Sequence, residues 1–459
     1  AYLYSEQFND LDKAFTMAQR ARELLPHEPH VADTLGWVLY KRHQYPWALS
    51  LLQESAAALP ASAEVQYHLG MADYMMGDET QARTVLQRAV ALEPSFAGVD
   101  QARESLAVLA IDPKAPPAAA QATLEKAVAA RPDDPVALGR LAALYERSGS
   151  EAKAIASYQK ALQSSPNNAT VTLALARLYA AHQDVPQAFE LAKSAHGLAP
   201  NDPEVTHTLA TLAYRTGDYR WSQSLMQEAV RAQPDNPDVL FDFAQASYGM
   251  GQVAAAQDAM RRALQAGPGF ARAGEARRFL ELTALADDPA QAAGAAAKID
   301  AALKADPGDL AALMASAAVA GSKADAAGAR KGYEAVLARD PDFAPAQERL
   351  AALLLAAPAP DNAKALELAL KAREALPGDP AVARTLGIAR YRQGDYARAA
   401  TLLQESAARR GNDAELMYYL GLARGQSKDR AGSRQALQKA LDLGLKGEPA
   451  ADARRQLAQ

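Results

Sequence analysis

The stretch from Pro29 to Pro94 determines how the rest of the chain is read. It runs PHVADTLGWVLYKRHQYPWALSLLQESAAALP and then ASAEVQYHLGMADYMMGDETQARTVLQRAVALEP. Placed one above the other, the two segments agree at an offset of 34 residues in these pairs: Leu35 and Leu69, Gly36 and Gly70, Ala48 and Ala82, Leu52 and Leu86, Pro60 and Pro94. A constant offset of this length predicts a repeated unit of two helices joined by a turn.

Small residues in this unit have a physical role. Gly36 in the first helix and Ala48 in the second leave room for the two helices to cross closely, because larger side chains would overpack the crossing. Leu35 and Leu52 are expected to fill the space between the paired helices.

Other residues mark where the helices end. Four closing prolines recur at the same spacing of 34 residues: Pro166, Pro200, Pro234 and Pro268. They stop the second helix of a unit. Gly217 and Gly394 are predicted to supply the turn after the first helix. Asp133-Asp134, after Pro132, and Asn167-Asn168, after Pro166, are predicted to offer side chains that cap the next helix.

The pattern resembles the tetratricopeptide repeat. Outside the stretch quoted above, the residues that carry the resemblance include Leu209, Ala210, Gly217, Tyr219, Met226, Ala229 and Pro234 in one unit and Leu386, Gly387, Gly394, Tyr396, Ala399 and Leu403 in another. The resemblance covers about the whole chain and implies an all-α fold, a right-handed superhelical α-solenoid of about twelve helix–turn–helix repeats. In this family's superhelix the first helix of each repeat lines a concave groove.

We divide the chain at these marks. The predicted segments are a partial repeat at 1–28, two regular repeats at 29–96, an irregular unit at 97–134, four regular repeats at 135–270, an irregular unit at 271–309, two divergent repeats at 310–379, two regular repeats at 380–447 and a capping helix at 448–459. In the first irregular unit we predict a helix from Phe96 to Ile111 and a lengthened loop from Asp112 to Pro117. The second irregular unit has a lengthened loop too. The capping helix is predicted to begin at Pro449.

Composition restricts the class of partner. The chain has 459 residues and a net charge of −5, from 49 Lys and Arg against 54 Asp and Glu, with no tract of like charge. We therefore expect no nucleic-acid binding. The longest apolar run, from Leu350 to Ala357, is far shorter than the ~18 residues that span a bilayer, so we expect no transmembrane segment. The chain opens within a repeat and shows no signal peptide, and we expect further repeats or an anchor before Ala1.

No catalytic constellation is found in the sequence. The glycines of GPGFARAG, residues 267–274, have the wrong spacing for a phosphate-binding loop. Cysteine is absent, and the seven histidines are dispersed. His27 and His30 straddle Pro29, and we interpret them as solvated turn residues rather than metal ligands. We expect no catalytic, cofactor-binding or metal-binding residues.

The groove that the resemblance implies is the informative surface. Register places the second, fifth, ninth, twelfth and thirteenth residues of each repeat there. The candidate ligand contacts are Asp33, Trp37, Tyr40, Lys41, Tyr67, Met71, Tyr74, His207, Tyr214, Arg215, Phe241, Tyr248, Arg384, Tyr391, Arg392 and Tyr418. Aromatic and arginine side chains supply many interface hot spots, so we predict that the groove binds an extended peptide or a partner helix. The competing interpretation is that tyrosines at the twelfth position pack against the neighbouring repeat.

These observations favour a non-catalytic protein–protein interaction scaffold. Residues 31–55, VADTLGWVLYKRHQYPWALSLLQES, are similar to large bacterial tetratricopeptide proteins of exopolysaccharide biosynthesis and surface-protein sorting. That similarity implies the bacterial periplasm or envelope, and the cytoplasm is the alternative. Two further hypotheses stay open: a regulatory or substrate-selecting domain of a larger enzyme, and a self-assembling spacer. The sequence also leaves open the ligand and the oligomeric state.

Overall fold

The regular structure of this chain is helical. The structure is a computed structural model that describes residues 1–111, 117–288 and 295–458, without the side chains of 117–119 and 268, and these ranges contain no strand. The chain divides into two compact units, Ala1–Gly217 and Asp218–Gln459, which we call unit 1 and unit 2. Residues 112–116 of the first predicted loop and 289–294 of the second lie outside the described ranges.

Each unit is an all-α solenoid in which helices pack against their neighbours along the chain. The described helices of unit 1 are α1 (Tyr2–Glu6), α2 (Leu11–Leu24), α3 (Pro29–Lys41), α4 (Tyr45–Ala58), α5 (Ala63–Met76), α6 (Glu79–Leu92), α7 (Val99–Ala110), α8 (Pro117–Ala130), α9 (Pro135–Arg147), α10 (Glu151–Ser164), α11 (Ala169–Ala181), α12 (Val185–Leu198) and α13 (Pro203–Arg215).

Unit 2 continues in the same manner. Its described helices are α14 (Tyr219–Ala232), α15 (Pro237–Gly249), α16 (Val253–Gln265), a 3₁₀ turn at Gly267–Gly269, α17 (Ala273–Asp287), α18 (Ala295–Ala305), α19 (Leu310–Ser322), α20 (Ala326–Arg339), α21 (Ala344–Ala356), α22 (Asn362–Ala375), α23 (Pro380–Arg392), α24 (Tyr396–Ala407), α25 (Ala414–Gln426), α26 (Arg430–Asp442) and α27 (Gly447–Ala458). The grouping of these helices into the repeats described above is our interpretation.

Polar side chains begin many of the helices, and the two predicted caps are confirmed. Asp134 Oδ1 accepts from the backbone N–H groups of Val136 and Ala137 at 3.1 and 2.9 Å. Asn168 Oδ1 accepts from the N–H of Val171 at 3.0 Å. These bonds satisfy donors that an isolated helix would leave without an acceptor.

Glycine allows the two helices of a repeat to cross at close range, as predicted. A Cβ atom at Gly36 would lie 2.8 Å from Leu52 Cγ, and one at Gly421 would lie 2.7 Å from Leu437 Cγ. Both leucines are buried and cannot move aside freely. The same contact recurs between Gly70 and Leu86 and between Gly387 and Leu403.

In many repeats, the turn after the first helix contains one residue in the left-handed conformation. Gly217 and Gly394, which were predicted for this turn, have φ of 87° and 84°. Glycine adopts such angles without the steric cost that a Cβ atom brings. Five repeats, including the partial one, have a larger residue at the equivalent position, with φ between 50° and 68°: Asn9, His43, Gln183, Ala324 and Lys428. Those five turns carry backbone strain that the glycine turns avoid.

Two predicted helix starts were wrong. The helix predicted from Phe96 begins at Val99, because Gly98 adopts φ of 96° and interrupts the helical path. The Tyr67 ring fills the space beside this glycine, so a Cβ atom there would lie 2.3 Å from Tyr67 Cε1. The capping helix begins at Gly447 and not at Pro449.

At the first irregular unit, residues that are far apart in the sequence come into contact. Tyr74 Oη donates to Asp134 Oδ1 at 2.9 Å, although the two residues are 60 positions apart. Gly77, after α5, lies so close to Asn168 that a Cβ atom on the glycine would be 2.5 Å from its Nδ2. The end of α5 therefore contacts the starts of α9 and α11.

Unit 2 contains a comparable contact. Tyr248, in α15, packs against Phe343 with ring centroids 5.3 Å apart. A Cβ atom at Gly251 would lie 2.8 Å from Pro345 Cδ. The end of α15 thus meets the start of α21, and the segment that includes the second irregular unit lies between them in sequence.

Gly36→Ala should destabilise the protein by about 1–3 kcal/mol, since the added methyl group overlaps the buried Leu52 side chain. The matched control is Gly197→Ala in α12, where no heavy atom lies within 4 Å of the added Cβ and the gain in helix propensity should stabilise by about 0.5–1 kcal/mol. Urea unfolding followed by circular dichroism measures both. Equal shifts in the two variants would contradict the crossing argument.

Ala324→Gly should stabilise unit 2 by about 0.5 kcal/mol, because it relieves the left-handed strain at some cost in unfolded-chain entropy. Gly394→Ala makes the reverse change at the equivalent turn and should cost about 1 kcal/mol through backbone strain, since a Cβ atom there meets nothing within 4 Å. Hydrogen exchange of α19–α20 and α23–α24 reports each change locally. Destabilisation by both variants would show that φ does not control these turns.

Candidate functional site

An aromatic cluster forms where α3 and α5 meet in unit 1. The Trp37 ring stacks on Tyr40 with centroids 4.5 Å apart and on His68 with centroids 4.1 Å apart. Tyr67 tilts against Trp37 at 5.4 Å and against Phe96 at 5.6 Å. The structure therefore brings three of the candidate residues into one group of packed rings.

Charged groups hold this cluster in place. His68 Nδ1 lies 2.9 Å from Asp33 Oδ1, and both side chains are buried. Trp37 Nε1 donates to Glu6 Oε1 at 3.0 Å, and Lys41 Nζ is paired with the same carboxylate oxygen at 2.6 Å. The candidates Asp33 and Lys41 thus join the cluster, and α1 contributes a carboxylate.

Met71 and Tyr74 lie in the interior of unit 1, and neither has exposed surface. The carboxylate that accepts from Tyr74, Asp134, is also paired with Arg131 at 2.8 Å. Burial, and then the charge of Asp134, raises the pKa of Tyr74 well above its ordinary value. Tyr74 is therefore a neutral hydrogen-bond donor that fastens α5 to the start of α9.

An apolar cavity of about 320 Å³ opens beside this junction. Its walls are mainly aliphatic and aromatic, and they include Ile111, Leu124, Val136, Gly139, Ala143, Leu144, Tyr158, Thr170 and Val171. Val136, Gly139 and Ala143 stand at the second, fifth and ninth positions of their repeat, which are the register positions predicted for the groove. An ion pair between Arg140 and Glu79 forms part of the lining. We call this space the apolar cavity.

A second cavity of about 160 Å³ has a different lining. Two tyrosines, several charged groups and one thioether surround it: Tyr40, Lys41, His43, Tyr45, Met75, Gln101, Arg131, Asp133 and Asp134. Tyr45 is buried, and its hydroxyl lies 2.6 Å from His43 Nδ1. Burial and then the charge of Asp133 raise the pKa of Tyr45 to about 12. We call this space the tyrosine cavity.

The candidates on α13 lie apart from the aromatic cluster. His207 and Tyr214 are half-buried, and Arg215 is exposed. Arg215 donates to the carbonyl oxygen of Ala180 at 3.0 Å and to Gln183 Oε1 at 3.3 Å. The Arg215 guanidinium thus bridges α13 to the turn that follows α11.

In unit 2 the candidates Phe241 and Tyr248 are buried. The Arg272 guanidinium carbon lies 3.7 Å from the centre of the Phe241 ring. Tyr248 makes an edge contact with Phe279 at 5.1 Å, besides its contact with Phe343. Both candidates therefore contribute to the packing around the second irregular unit.

The remaining candidates lie near the end of unit 2. Arg392 donates to the carbonyl oxygen of Leu355 at 2.6 Å and to Tyr419 Oη at 3.1 Å. Arg384 is paired with Asp413 at 3.0 Å and also with Glu415. Both arginines and Arg349 line a cavity of about 300 Å³, so two of the predicted contacts border open space.

The two tyrosine candidates of this region have polar and aromatic partners. Tyr391 packs on Tyr419 with centroids 5.7 Å apart. Tyr418 Oη donates to Asp452 Oδ2 in α27 at 2.9 Å. The last helix therefore partly covers this pair.

Comparison with known families identifies the repeats. Three family models, each described as a tetratricopeptide repeat, match residues 64–95, 116–169, 152–203, 217–280 and 384–459. Together the matches cover more than half of the chain. The chain belongs to the tetratricopeptide repeat family. Repeats of this kind stack into solenoids whose extended surfaces bind other proteins. A comparison with curated proteins found no match.

Several solved structures resemble the chain. The P58(IPK) repeat domain has 14% sequence identity and a TM-score of 0.32, and the alignment covers 93% of this chain and 96% of that one. YrrB has 15% identity and a TM-score of 0.30 over 49% of this chain and 95% of its own. MamA has 16% identity and a TM-score of 0.30 over 37% and 94%. The family assignment rests on the repeat matches.

Neither a membrane-spanning helix nor a metal-binding group of side chains is found among the described residues of this tetratricopeptide-repeat chain. Over residues 1–111, 117–288 and 295–458, no helix combines the length and the apolarity needed to cross a membrane. Within the same ranges, no three histidine, aspartate or glutamate side chains are grouped so that they could hold a metal ion.

Sequence reasoning missed several residues that line the apolar cavity and the tyrosine cavity. Asp133 and Asp134 were read only as capping residues, yet both line the tyrosine cavity. Gly139 occupies a groove position by register and leaves the apolar cavity open, which the register rule could have indicated. Arg131 and Gln101 come from the irregular unit, where the repeat pattern gives no register. Ligand contact by the sixteen candidates stays a prediction, and Met71, Tyr74 and Phe241 have almost no exposed surface.

Asp73, in α5, is buried beside the carboxylate of Asp78, and burial followed by that charge raises its pKa to about 7. The folded protein therefore binds this proton more tightly than the unfolded chain does. Proton binding by Asp73 makes its full contribution to the free energy of unfolding below pH about 4, and this contribution is lost as the pH rises towards 7. Asp73→Asn should thus be more stable than the parent at pH 8, by an amount on the order of 2 kcal/mol, and nearly equal to it at pH 4.

Thermal unfolding of both proteins across this pH range measures the difference. The exposed Asp100→Asn serves as the control, and its difference from the parent should not change with pH in this way. A stability difference for Asp73→Asn that stays constant from pH 4 to pH 8 would contradict the assignment.

Proposed function

We propose that this chain is a non-catalytic scaffold that holds an extended peptide or a partner helix against the first helices of its repeats. That the chain is a protein-interaction scaffold follows from its membership of the tetratricopeptide repeat family. The location of the bound segment is our own proposal. The observation that carries it is the apolar cavity in unit 1.

The lining of this cavity suits the side chain of a bound peptide. Apolar walls gain free energy by covering an apolar side chain, and a few polar groups at such a site fix the orientation of the ligand. Arg140, Glu79 and the exposed Thr170 are among the polar residues that line it. Gly139 supports access, because a side chain at this position would enter the space that Val171 borders.

The neighbouring aromatic cluster supports the same location. Trp37 and Tyr67 are buried and pack on each other, and the half-buried Tyr40 stacks on Trp37, so Tyr40 loses little side-chain entropy when a ligand contacts it. Preorganised aromatic side chains are the usual anchors of protein interfaces. The cluster includes residues of α5, and the cavity is lined by Gly77, directly after α5, and by Ile111 and Leu124 of the irregular unit.

Placement in a bacterial envelope polysaccharide or secretion system is part of the proposal and rests only on the similarity of residues 31–55. The alternative, a regulatory or substrate-selecting domain of a larger enzyme, uses the same binding surface. Neither changes the experiment below, because both require a segment bound at the first helices.

Thr170→Trp should abolish or weaken peptide binding by at least about tenfold, or about 1.4 kcal/mol. The exposed threonine lines the apolar cavity, and an indole ring there would occupy its mouth without disturbing buried residues. The probe is a phage-displayed library of random peptides, selected against the parent chain, and the affinities of the enriched peptides are then measured by fluorescence anisotropy.

Thr84→Trp is the matched control. Thr84 is an exposed residue of α6 that does not line the cavity, so the same substitution there should leave the affinities unchanged. Circular dichroism verifies that both variants are folded. Equal affinity of the enriched peptides for the parent and for Thr170→Trp would overturn the proposed location.

A further inference from the structure

We infer that the tyrosine cavity of unit 1 receives the arginine or lysine side chain of a bound partner. This inference rests on the proposed function and adds a requirement for the sequence of the partner. It joins three observations: an uncompensated carboxylate at the cavity, two tyrosine rings in its walls, and the pairing of both resident cations with other carboxylates.

The resident cations have carboxylate partners of their own. Lys41 Nζ is paired with Glu6 Oε1 at 2.6 Å and donates to the carbonyl oxygen of Ser5 at 3.2 Å. Arg131 is paired with Asp134 at 2.8 Å and donates to Ser105 Oγ at 3.3 Å. Neither cation therefore neutralises a third carboxylate at the cavity.

The two neighbouring aspartates differ in how fully they are used. Asp134 is buried and accepts from Tyr74 Oη, from two backbone N–H groups and from Arg131. Asp133 is exposed, and in the part of the chain that the structure describes it forms no ion pair. Lys41 pairs with Glu6 and Arg131 pairs with Asp134. The charge of Asp133 is therefore left without a cation to balance it.

Tyrosine rings complete a site for a cation. Tyr40 and Tyr45 meet edge to face, with centroids 5.6 Å apart, and both line the cavity. The face of an aromatic ring attracts an ammonium or guanidinium group, by about 0.5–2 kcal/mol depending on desolvation. The Tyr40 ring is also held by its stack on Trp37, so the site is preorganised.

The position of the cavity fits a side chain that projects from a peptide. Tyr40, Lys41 and Met75 stand at the twelfth and thirteenth positions of their repeats, which are groove positions by register. The cavity of about 160 Å³ has room for the head group of one long basic side chain. The occupant is therefore a basic residue of a partner protein.

The probe is Nα-acetyl-arginine methylamide, and Nα-acetyl-citrulline methylamide is the uncharged probe of the same shape. Isothermal titration of the full chain should give an affinity for the arginine probe that is at least about fivefold higher, which corresponds to about 1 kcal/mol. Asp133→Asn should remove this discrimination. The matched control Asp235→Asn changes an exposed aspartate at the equivalent position of another repeat and should leave it intact.

Tyr45→Phe is a second variant that keeps the ring, and it should retain most of the discrimination, whereas Tyr45→Leu should lose it. Circular dichroism establishes that each variant is folded. Equal affinity for the two probes, or discrimination that persists in Asp133→Asn, would overturn the inference.

The peptide selection separates this inference from the proposed function. Enriched peptides that lose affinity for Thr170→Trp but show no preference for arginine or lysine would leave the scaffold intact and refute the basic pocket. Preference for the arginine probe without any enriched peptide would support the pocket and refute the proposed location of a bound segment.

Discussion

The rest of the structure depends on the close crossing of two helices within each repeat. At Gly36 and Gly421 the crossing is so tight that the space of a single Cβ atom is already taken by a buried leucine. Packing at this density fixes the angle and distance between the paired helices, since cores transmit small changes in volume. Side chains on neighbouring first helices are then held at defined separations, and Trp37 can stack on His68 from the next repeat.

The irregular units change what this regular stacking brings together. In unit 1 the end of α5 meets the starts of α9 and α11, through Tyr74 with Asp134 and Gly77 with Asn168. The apolar cavity and the tyrosine cavity lie near this junction, and residues of the irregular unit form part of the lining of each. The irregular unit therefore contributes directly to the candidate site.

Much of the local structure could be predicted from sequence. The left-handed turns at Gly217 and Gly394 and the caps at Asp134 and Asn168 follow from the steric and hydrogen-bonding properties of single residues. The start of α7 could not be predicted in this way. It depends on Gly98, whose left-handed conformation is accompanied by the Tyr67 ring from another repeat.

The sequence by itself determined the class of fold and the register of the first helices, because a period of 34 residues is a one-dimensional signal. Only the tertiary structure decided which of the predicted groove positions are buried and which border open space. Met71 and Tyr74 are buried, whereas Gly139 lines the apolar cavity. The tertiary structure also decided that Asp133 lines a cavity with two tyrosines of a distant repeat. Such contacts depend on how an irregular unit turns the chain, and no residue type encodes that angle locally.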